Sequence, residues 1–536
     1  MKTVTVVGSG ASGVHFALSL LRKGYHVRMV DSGYEGPAPV APDRALGDLK
    51  RELPDPAEYF LGNDLSGLTL PGGEGEYYGF PPQKEYIFRH PANVATRTLG
   101  FEPLSSYARG GLAQAWTAGV FPFNDDDLSD FPFSASELVP YYGEIADRIG
   151  VNGTADDLER FMPVHEHMME PLDLDDHSND LLVRYGADRE TLNARHGCFM
   201  GRARVATLSR PLGDRHACDY LGRCIWGCPT ESLYTPALTL RECERYDSFE
   251  YMPGRYVEAF ESDENRRVSS LVLRSPDGED MAPLPVDLLA LAAGTLSSSR
   301  IYLESVSRAG GAPLELQGLM DNRQVLVPFV HLGRIGVRYD PRSYQYHQLL
   351  LTLETDRLRE SVHGQITTLT TAEAHPILQT MPVDLRTAAF VFRNVRAALG
   401  LVNLNFHDYR RPECRIALLP ESPGAPPTLE VSYAPESAEN DRIRSTVKRL
   451  RRILRRLGCM VAPGTVHVRP MGASVHYAGT LPMSETRSPG TVSPNCQSHD
   501  FENLYVVDGS TFPFLPAKNI TFTLMANAAR VADRAF

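Results

Sequence analysis

"TVTVVGSGASGVHFALSLLRKGYHVRMVDSG", residues 3–33, decides how this chain begins to fold. Val4, Val6 and Val7 make a short apolar run of strand length, and Gly8, Gly10 and Gly13 follow it in the spacing G-x-G-x-x-G. Phe16, Ala17, Leu20 and Leu21 then line one face of a helix that Gly24 ends, and "YHVRMV" (25–30) reads as a second strand with Asp31 at its tip. Gly8 suits a tight turn, Gly10 lets backbone approach a pyrophosphate, and Gly13 lets helix and strand pack closely. Ala11 and Ser12 open the helix, whose free N–H groups and positive dipole end favour phosphate. Asp31, followed by Ser32, can accept hydrogen bonds from a ribose. Strand, turn, helix, strand and acid in this order predict a dinucleotide site, without separating FAD from NAD.

The chain has 536 residues, enough for two or three domains. Apolar residues at 42% and charged residues at 22% are ordinary for a globular protein. No apolar run is long enough to span a bilayer, and the opening residues read at once as strand and turn. The expectation is therefore a cytoplasmic protein with no membrane insertion. A formal net charge of −12 argues against a nucleic-acid partner and favours attraction of a cationic substrate. The acidic runs "NDDDLSD" (124–130) and "DLDDHSND" (173–180) read as solvated surface. In the basic stretch 442–458, Ile443, Val447, Leu450, Leu454 and Leu457 recur at helical spacing, which predicts an amphipathic helix with a solvated basic face.

Further along, residues 34–100 are rich in Pro, Gly and acids and read as a long excursion, a candidate covering lid. "YARGGLAQAWTAGVFPF" (107–123) carries the adjacent Gly110 and Gly111, which allow close approach to something flat or charged. "SASELVPYYGEIADRIGV" (134–151) predicts a helix entered through a Ser cap. "VDLLALAAGTLSSSRIYLES" (286–305) reads as buried strand, Gly294–Thr295 turn and helix, another unit of a parallel sheet. "HQLLLTLETD", "GQITTLTT", "GLVNLNFHDY" and "CRIALLP", between 347 and 420, read as antiparallel strands of a separate sheet.

Eight segments in order resemble the glucose–methanol–choline (GMC) family of flavin oxidoreductases. They are G-S-G-A-S-G with Asp31, "GGLAQAW" (110–116), "DFPFSASELVPYY" (130–142), "CDYLGRCIWGCP" (218–229), "LALAAGTLSSSRIYLES" (289–305), "GLMDN" (318–322), "HYAGTLPM" (476–483) and "NLYVVDGSTFP…KNITFTLMANAARVAD" (503–533). Residues 34–90 and 325–440 match weakly. The resemblance implies FAD, and oxidation of an alcohol to a carbonyl by hydride transfer to flavin N5. It places the family's catalytic histidine on His476 and its second position, His or Asn, on Asn519. A neutral imidazole suits removal of the hydroxyl proton; by itself, a lone histidine among Gly, Ala, Ser and Thr fits a packed structural role equally well. The resemblance also makes Gly294, Asp508, Gly509, Ile520 and Thr521 FAD contacts, with the start of the last helix directed at the flavin, and has Val257 present its backbone to the adenine. Ile520 stands where many members have Pro, which predicts a different local turn. No histidine lies beside Gly111, so the FAD is expected to be non-covalent.

His216, Cys218, Cys224 and Cys228 lie within thirteen residues, where soft ligands can hold zinc or an iron–sulfur cluster. The spacing is not a standard zinc pattern; buried thiols or a redox-responsive pair is the preferred reading, and no metal is assigned. The expected architecture is α/β, α+β overall. A Rossmann-like FAD domain comes from residues 1–130, 200–325 and 460–536, and a substrate domain on an antiparallel sheet from 131–199 and 326–459. The expected substrate is a sugar, polyol or sugar-containing metabolite, an aminosugar or aminoglycoside among them, with O2 or an electron-acceptor partner as oxidant. A dehydrogenase of another alcohol, a flavin lyase or isomerase, and a flavin-binding scaffold are the alternatives.

Overall fold

The computed structural model describes every residue except 1–2, 69–75, 77, 93, 164–166, 312–314, 341–342, 345, 370–373, 380 and 420–426. Along the chain, strand β1 (Thr3–Val7) leads to helix α1 (Ala11–Arg22) and strand β2 (His26–Val30). Helix α2 (Ala135–Ile149), strand β3 (Cys198–Arg202) and strand β4 (Phe249–Met252) follow. Next come strand β5 (Leu288–Leu291), helix α3 (Thr295–Arg308), and strands β6 (Gln324–His331), β7 (Leu349–Leu353), β8 (Val362–Thr368) and β9 (Leu399–Asn405). Helix α4 (Glu439–Arg456), strand β10 (Leu504–Val506) and helix α5 (Thr521–Arg534) complete the frame.

Five strands form a wholly parallel sheet in the order β10-β5-β1-β2-β4. β1 is the middle strand, and Val4, Val6 and Val7 are buried. Apolar runs with helix crossovers give this arrangement, because both faces of a parallel sheet must be covered. α1 packs against α5, which brings the first and last helices of the chain together. The result is the expected α/β, Rossmann-like core.

The second large sheet is antiparallel and runs Cys459–Met460, β6, β9, β8, β7, β3. Its two faces differ because side chains alternate along each strand. Val325, Val327, Phe329, Leu349, Leu351, Ile366, Val402 and Leu404 point one way, into a core closed by Ile443, Val447, Leu450, Ile453, Leu454 and Leu457 of α4 and the turn after it. Each such fully buried side chain contributes about 1.5–3 kcal/mol. The helix expected from the basic stretch thus packs its apolar stripe on this sheet, and Gly458, at φ +77°, follows it. The other face is polar: Gln324, Asn405, His363 and Thr352 stand side by side across four strands, and Asn403 and Gln365 form the next row.

Several local expectations change. β3, Cys198–Arg202, pairs with β7 in the antiparallel sheet, and Cys459–Met460 and His467–Val468 pair with β6, so the sheet crosses the expected divisions near residues 200 and 460. The strand within "CRIALLP" (Arg415–Leu418) belongs to a different four-stranded sheet with Glu315–Gln317, Thr428–Ser432 and Ala95–Leu99. The excursion after residue 34 holds helices Leu46–Glu52 and Pro56–Leu61, whose Leu46, Leu49 and Phe60 pack on Trp226. The central part of the proposed lid, 69–75 with 77 and 93, lies outside the described residues. Ser134 does precede α2, but its hydroxyl meets Ser136, and Asp125 Oδ1 accepts from the Ala135 N–H instead (3.1 Å). The run 124–130 is therefore not simply solvated surface: Asp125 caps a helix and Asp127 is buried against Lys518. Asp175, in the second acidic run, caps the helix Asp176–Ala187. Among the described residues, no helix is long and apolar enough to cross a membrane.

Candidate active site

The turn between β1 and α1 is built as its glycines demand. Gly8 has φ +100°, and a Cβ there would lie 2.7 Å from the Ala292 carbonyl oxygen at the end of β5. A Cβ on Gly13 would overlap the Gly8 carbonyl oxygen, so α1 lies directly on the strand end. Gly10, the N-cap of α1, has ordinary dihedrals (φ −66°, ψ −177°), and a Cβ there would meet nothing within 4 Å. Its missing side chain faces open space.

That space is a cleft of about 1240 Å³ including its mouth. Gly8, Gly10, Ala11 and Ser12 line one part, with Asp31 and Ser32 beyond the end of β2. Gly111, Val257 and Gly294 line its walls. Asp508, Gly509, Ile520 and Thr521 line it from the carboxyl-terminal segment. Gly13, Gly110 and Asn519 do not. Gly13 supports the turn, and the Gly110 N–H donates to Ser9 Oγ (2.8 Å). Gly111, at φ +62°, comes so close that its Cβ would stand 3.2 Å from Gly10 Cα; the two glycine loops pack on each other.

Asp31 is buried, and its carboxylate accepts from Ser9 Oγ and from Tyr251 Oη (3.3 Å). Burial pushes its carboxyl up to about 6, against those hydrogen bonds. Asp508 also faces the cleft, but each of its oxygens is engaged. One accepts from the Gly294 N–H (3.0 Å) and Ser298 Oγ (2.5 Å), the other from the N–H and Oγ of Ser510. It ties the start of α3 to the turn after β10, so the cleft receives backbone there. The first turn of α5 begins directly after Ile520, which offers no side-chain cap, and its N–H groups lie at the cleft wall. Ile520 has φ −81°, close to the value that proline fixes.

His476 does not itself line this cleft; its chain neighbours Val475 and Tyr477 do. Val475 has φ +58°, a costly conformation for a β-branched residue. The loop is held by Asp321, whose carboxylate accepts from the Gly472 N–H (2.7 Å), from Ser474 Oγ and from the His476 N–H (3.3 Å). Among the described residues the His476 ring makes one hydrogen bond, Nδ1 to Asn322 Oδ1 at 2.9 Å. Burial lowers its pKa to about 4, so the imidazole is neutral at pH 7. Asn519 Oδ1 accepts from Gln365 Nε2 (2.7 Å), on the polar face of the antiparallel sheet. That bond turns Asn519 Nδ2 away as a donor. His363, one row along on the same strand, is buried with no hydrogen-bond partner for either ring nitrogen among the described residues, and burial holds its pKa well below the usual value, with lesser contributions from Lys518, His347, Arg204 and His476. The polar face therefore meets the His476 and Asn519 region.

Sequence reasoning missed Tyr251, Gln365, His363 and Lys518. Lys518 Nζ is buried, donating to the Pro122 carbonyl (3.3 Å), the Phe161 carbonyl and Asp127, which anchors the segment leading to Asn519. The thiols lie elsewhere. Cys218 Sγ accepts from the Tyr220 N–H (3.4 Å), and Cys228 Sγ meets the Thr230 and Ser232 hydroxyls. Burial pushes Cys218 up to about 11.

Residues 410–528 match the family model described as GMC oxidoreductase. Two full-length relatives carry the likeness across the chain. Over residues 410–528 the chain is similar to GMC oxidoreductases. One relative is 6'''-hydroxyparomomycin C oxidase of Streptomyces lividus, 24% identical over 99% of this chain and 90% of the relative. The other is paromamine 6'-oxidase of Streptomyces fradiae, 23% identical with the same coverage. Among solved structures, pyridoxine 4-oxidase from Mesorbium loti superposes with a TM-score of 0.61 at 15% identity, covering 100% of this chain and 99% of that one. The matched GMC segment contains His476, Asp508, Gly509 and Asn519; the glycine turn lies outside it.

Proposed function

We propose that this chain is a GMC oxidoreductase that binds FAD non-covalently and oxidises a CH–OH group of a sugar-containing metabolite, with His476 as base. The observation that carries this reading is a buried, neutral imidazole, His476, whose chain neighbours Val475 and Tyr477 line the same cleft as the glycine turn and Asp31. The residues present fit the cofactor. Gly10 leaves room for a pyrophosphate, Asp31 can accept from ribose hydroxyls, and the start of α5 offers N–H groups where negative charge would gather. No histidine stands beside the Gly110–Gly111 pair, which supports non-covalent binding. FAD, when bound, supplies the hydride acceptor. His476 Nε2 takes the hydroxyl proton, and Asn519 Nδ2 donates to the same oxygen and orients it. Burial of both keeps water from competing for these contacts.

The names of the two full-length relatives, both oxidases of aminoglycosides, support an amine-bearing sugar as substrate and O2 as oxidant. The net charge of −12 supports attraction of such a cation. The polar side chains of His363, Gln365, Asn403 and Asn405, in two neighbouring rows, suit a substrate rich in hydroxyls, and we assign them to the substrate side, in a domain drawn mainly from 131–199 and 326–459. Eight cysteines are sparse for 536 residues and do not read as a disulfide framework, which supports a cytoplasmic location. The test is turnover of a panel of aminosugars, neutral sugars and simple alcohols, read by oxygen uptake and product mass. A product lighter by two hydrogens, with cationic sugars favoured at low ionic strength, is expected. Unchanged product mass would point to isomerisation and reject oxidation. An identical salt response for cationic and neutral sugars would reject the amine preference.

A further inference from the structure

We infer that Asn322 is a positioning residue that selects the tautomer of His476, holding the proton on Nδ1 and leaving Nε2 as the basic atom. This rests on the reading of His476 as the base.

The argument begins with the Asn322 amide. Asn322 is 1% exposed, and its Nδ2 donates to the carbonyl oxygens of Phe406 (2.7 Å) and Pro516 (3.0 Å). Both N–H bonds of the amide are spent. Rotating the amide by half a turn would set Oδ1 against two carbonyl oxygens, so its orientation is forced. Oδ1 then points at His476 Nδ1, 2.9 Å away. A carbonyl oxygen only accepts, so Nδ1 must donate. A neutral imidazole carries one N–H, which leaves the lone pair on Nε2. Among the described residues no hydrogen bond reaches Nε2, so that lone pair is free for a substrate hydroxyl.

The neighbouring residue does related work on the backbone. Asp321 holds Gly472, Ser474 and the His476 N–H, so two consecutive residues fix both the loop and the ring. Both carbonyl anchors lie far away in sequence: Phe406 directly follows β9, and Pro516 precedes Asn519 by three residues. The "GLMDN" segment, which carries no role in the proposed function, thereby joins the antiparallel sheet, the His476 loop and the Asn519 loop. Among titratable groups, Asp321 accepts from the His476 backbone N–H, Asp408 accepts in turn from the Asp321 N–H, and His363 on β8 feels the His476 ring.

The test is a long-range proton–nitrogen spectrum of the FAD-loaded full-length protein, labelled with nitrogen-15 in histidine. The His476 signal is assigned by its loss in His476→Gln. At pH 7 the expected pattern is the neutral Nδ1–H tautomer. In Asn322→Leu the signal should move to Nε2–H or to a mixture. The kcat should fall about 100-fold or more, with KM changed by less than about threefold, as loss of a correctly protonated base requires. An Nε2–H pattern in the wild type, or an unchanged tautomer in Asn322→Leu, overturns the inference. If Asn322→Leu does not fold, the wild-type spectrum and Asn322→Asp decide. The added carboxylate beside Nδ1 should raise the acid limb of kcat by more than one pH unit, and an unmoved limb overturns it. Normal turnover by His476→Gln would instead reject the base reading and leave the tautomer result standing.

Discussion

Gly10 and Gly13 stand three residues apart in one turn, and the structure assigns them opposite consequences when each is changed to Ala. At Gly13 the new methyl overlaps the Gly8 carbonyl oxygen and lies 3.2 Å from Gly8 C and 3.3 Å from Ala292 Cβ. Neither neighbour can retreat. β1 is bonded on both sides, by β5 and β2, and α1 is backed by α5. Overpacking of this kind costs about 1–3 kcal/mol, and displacement of α1 also moves its first N–H groups. At Gly10 the methyl meets no protein atom within 4 Å, and φ −66° suits alanine. Apoprotein stability should therefore stay within about 1 kcal/mol. The methyl does occupy the space proposed for the pyrophosphate. Loss of one hydrogen bond to a charged group is worth about 1.5–3 kcal/mol, or about 10- to 150-fold in Kd. The assay is urea unfolding of the two apoproteins, followed by FAD titration read by flavin fluorescence quenching. Gly13→Ala should lose both stability and FAD. Gly10→Ala should lose FAD alone. A Gly10→Ala protein that binds FAD within about threefold of wild type would refute the placement of the pyrophosphate at this turn.

Three further outcomes follow from the same geometry. Burial lowers the His476 pKa to about 4, so the rate of substrate-driven flavin reduction should be flat at neutral pH and fall only as pH drops toward about 4; a limb centred near 6.5 in a stopped-flow pH series would contradict the buried, neutral base. His347 is likewise lowered to about 4 by burial. Because both folded pKa values lie below the ordinary 6.5, the unfolded chain takes up protons first as pH falls. The stability they contribute is present above 6.5 and is lost progressively down to about 4, at about 3 kcal/mol each; the urea midpoint should drop across that window, and a midpoint constant from pH 7 to 4.5 would contradict it. Acid precipitation should leave all flavin in the supernatant, whereas colour retained in the washed pellet would show a covalent link.

The parts of the fold that were legible in the sequence are those where a residue answers to its own backbone. Gly8 and Gly13 announce the turn because no other residue fits a positive φ or so close an approach. The stripe on α4 is read from spacing alone, and its basic face carries Arg444 and Arg456, paired with Asp441 and Asp188. What was not legible depends on residues distant in sequence. Asn322 reaches His476 across 154 residues, and Gln365 reaches Asn519 across the same separation. The acidic run 124–130 looks like surface until Lys518 buries Asp127. Ser134 looks like a cap until Asp125 reaches the Ala135 N–H first. "GLVNLNFHDY" was legible as an antiparallel strand, but only pairing shows that His363 and Gln365 turn to the same side as Asn403 and Asn405. His476 was singled out by its small neighbours and by resemblance. Its tautomer is set by an amide that no local pattern marks.

The most direct test of the account is the anaerobic absorbance of the FAD-loaded protein mixed with an aminosugar panel, in the wild type and in His476→Ala. The wild-type flavin bands should bleach with amine-bearing sugars. His476→Ala should keep its FAD and bleach at least about 100-fold more slowly. Equal bleaching in both proteins would contradict the role of His476, and a wild-type protein whose flavin bleaches with none of the hydroxyl compounds would contradict the proposed reaction.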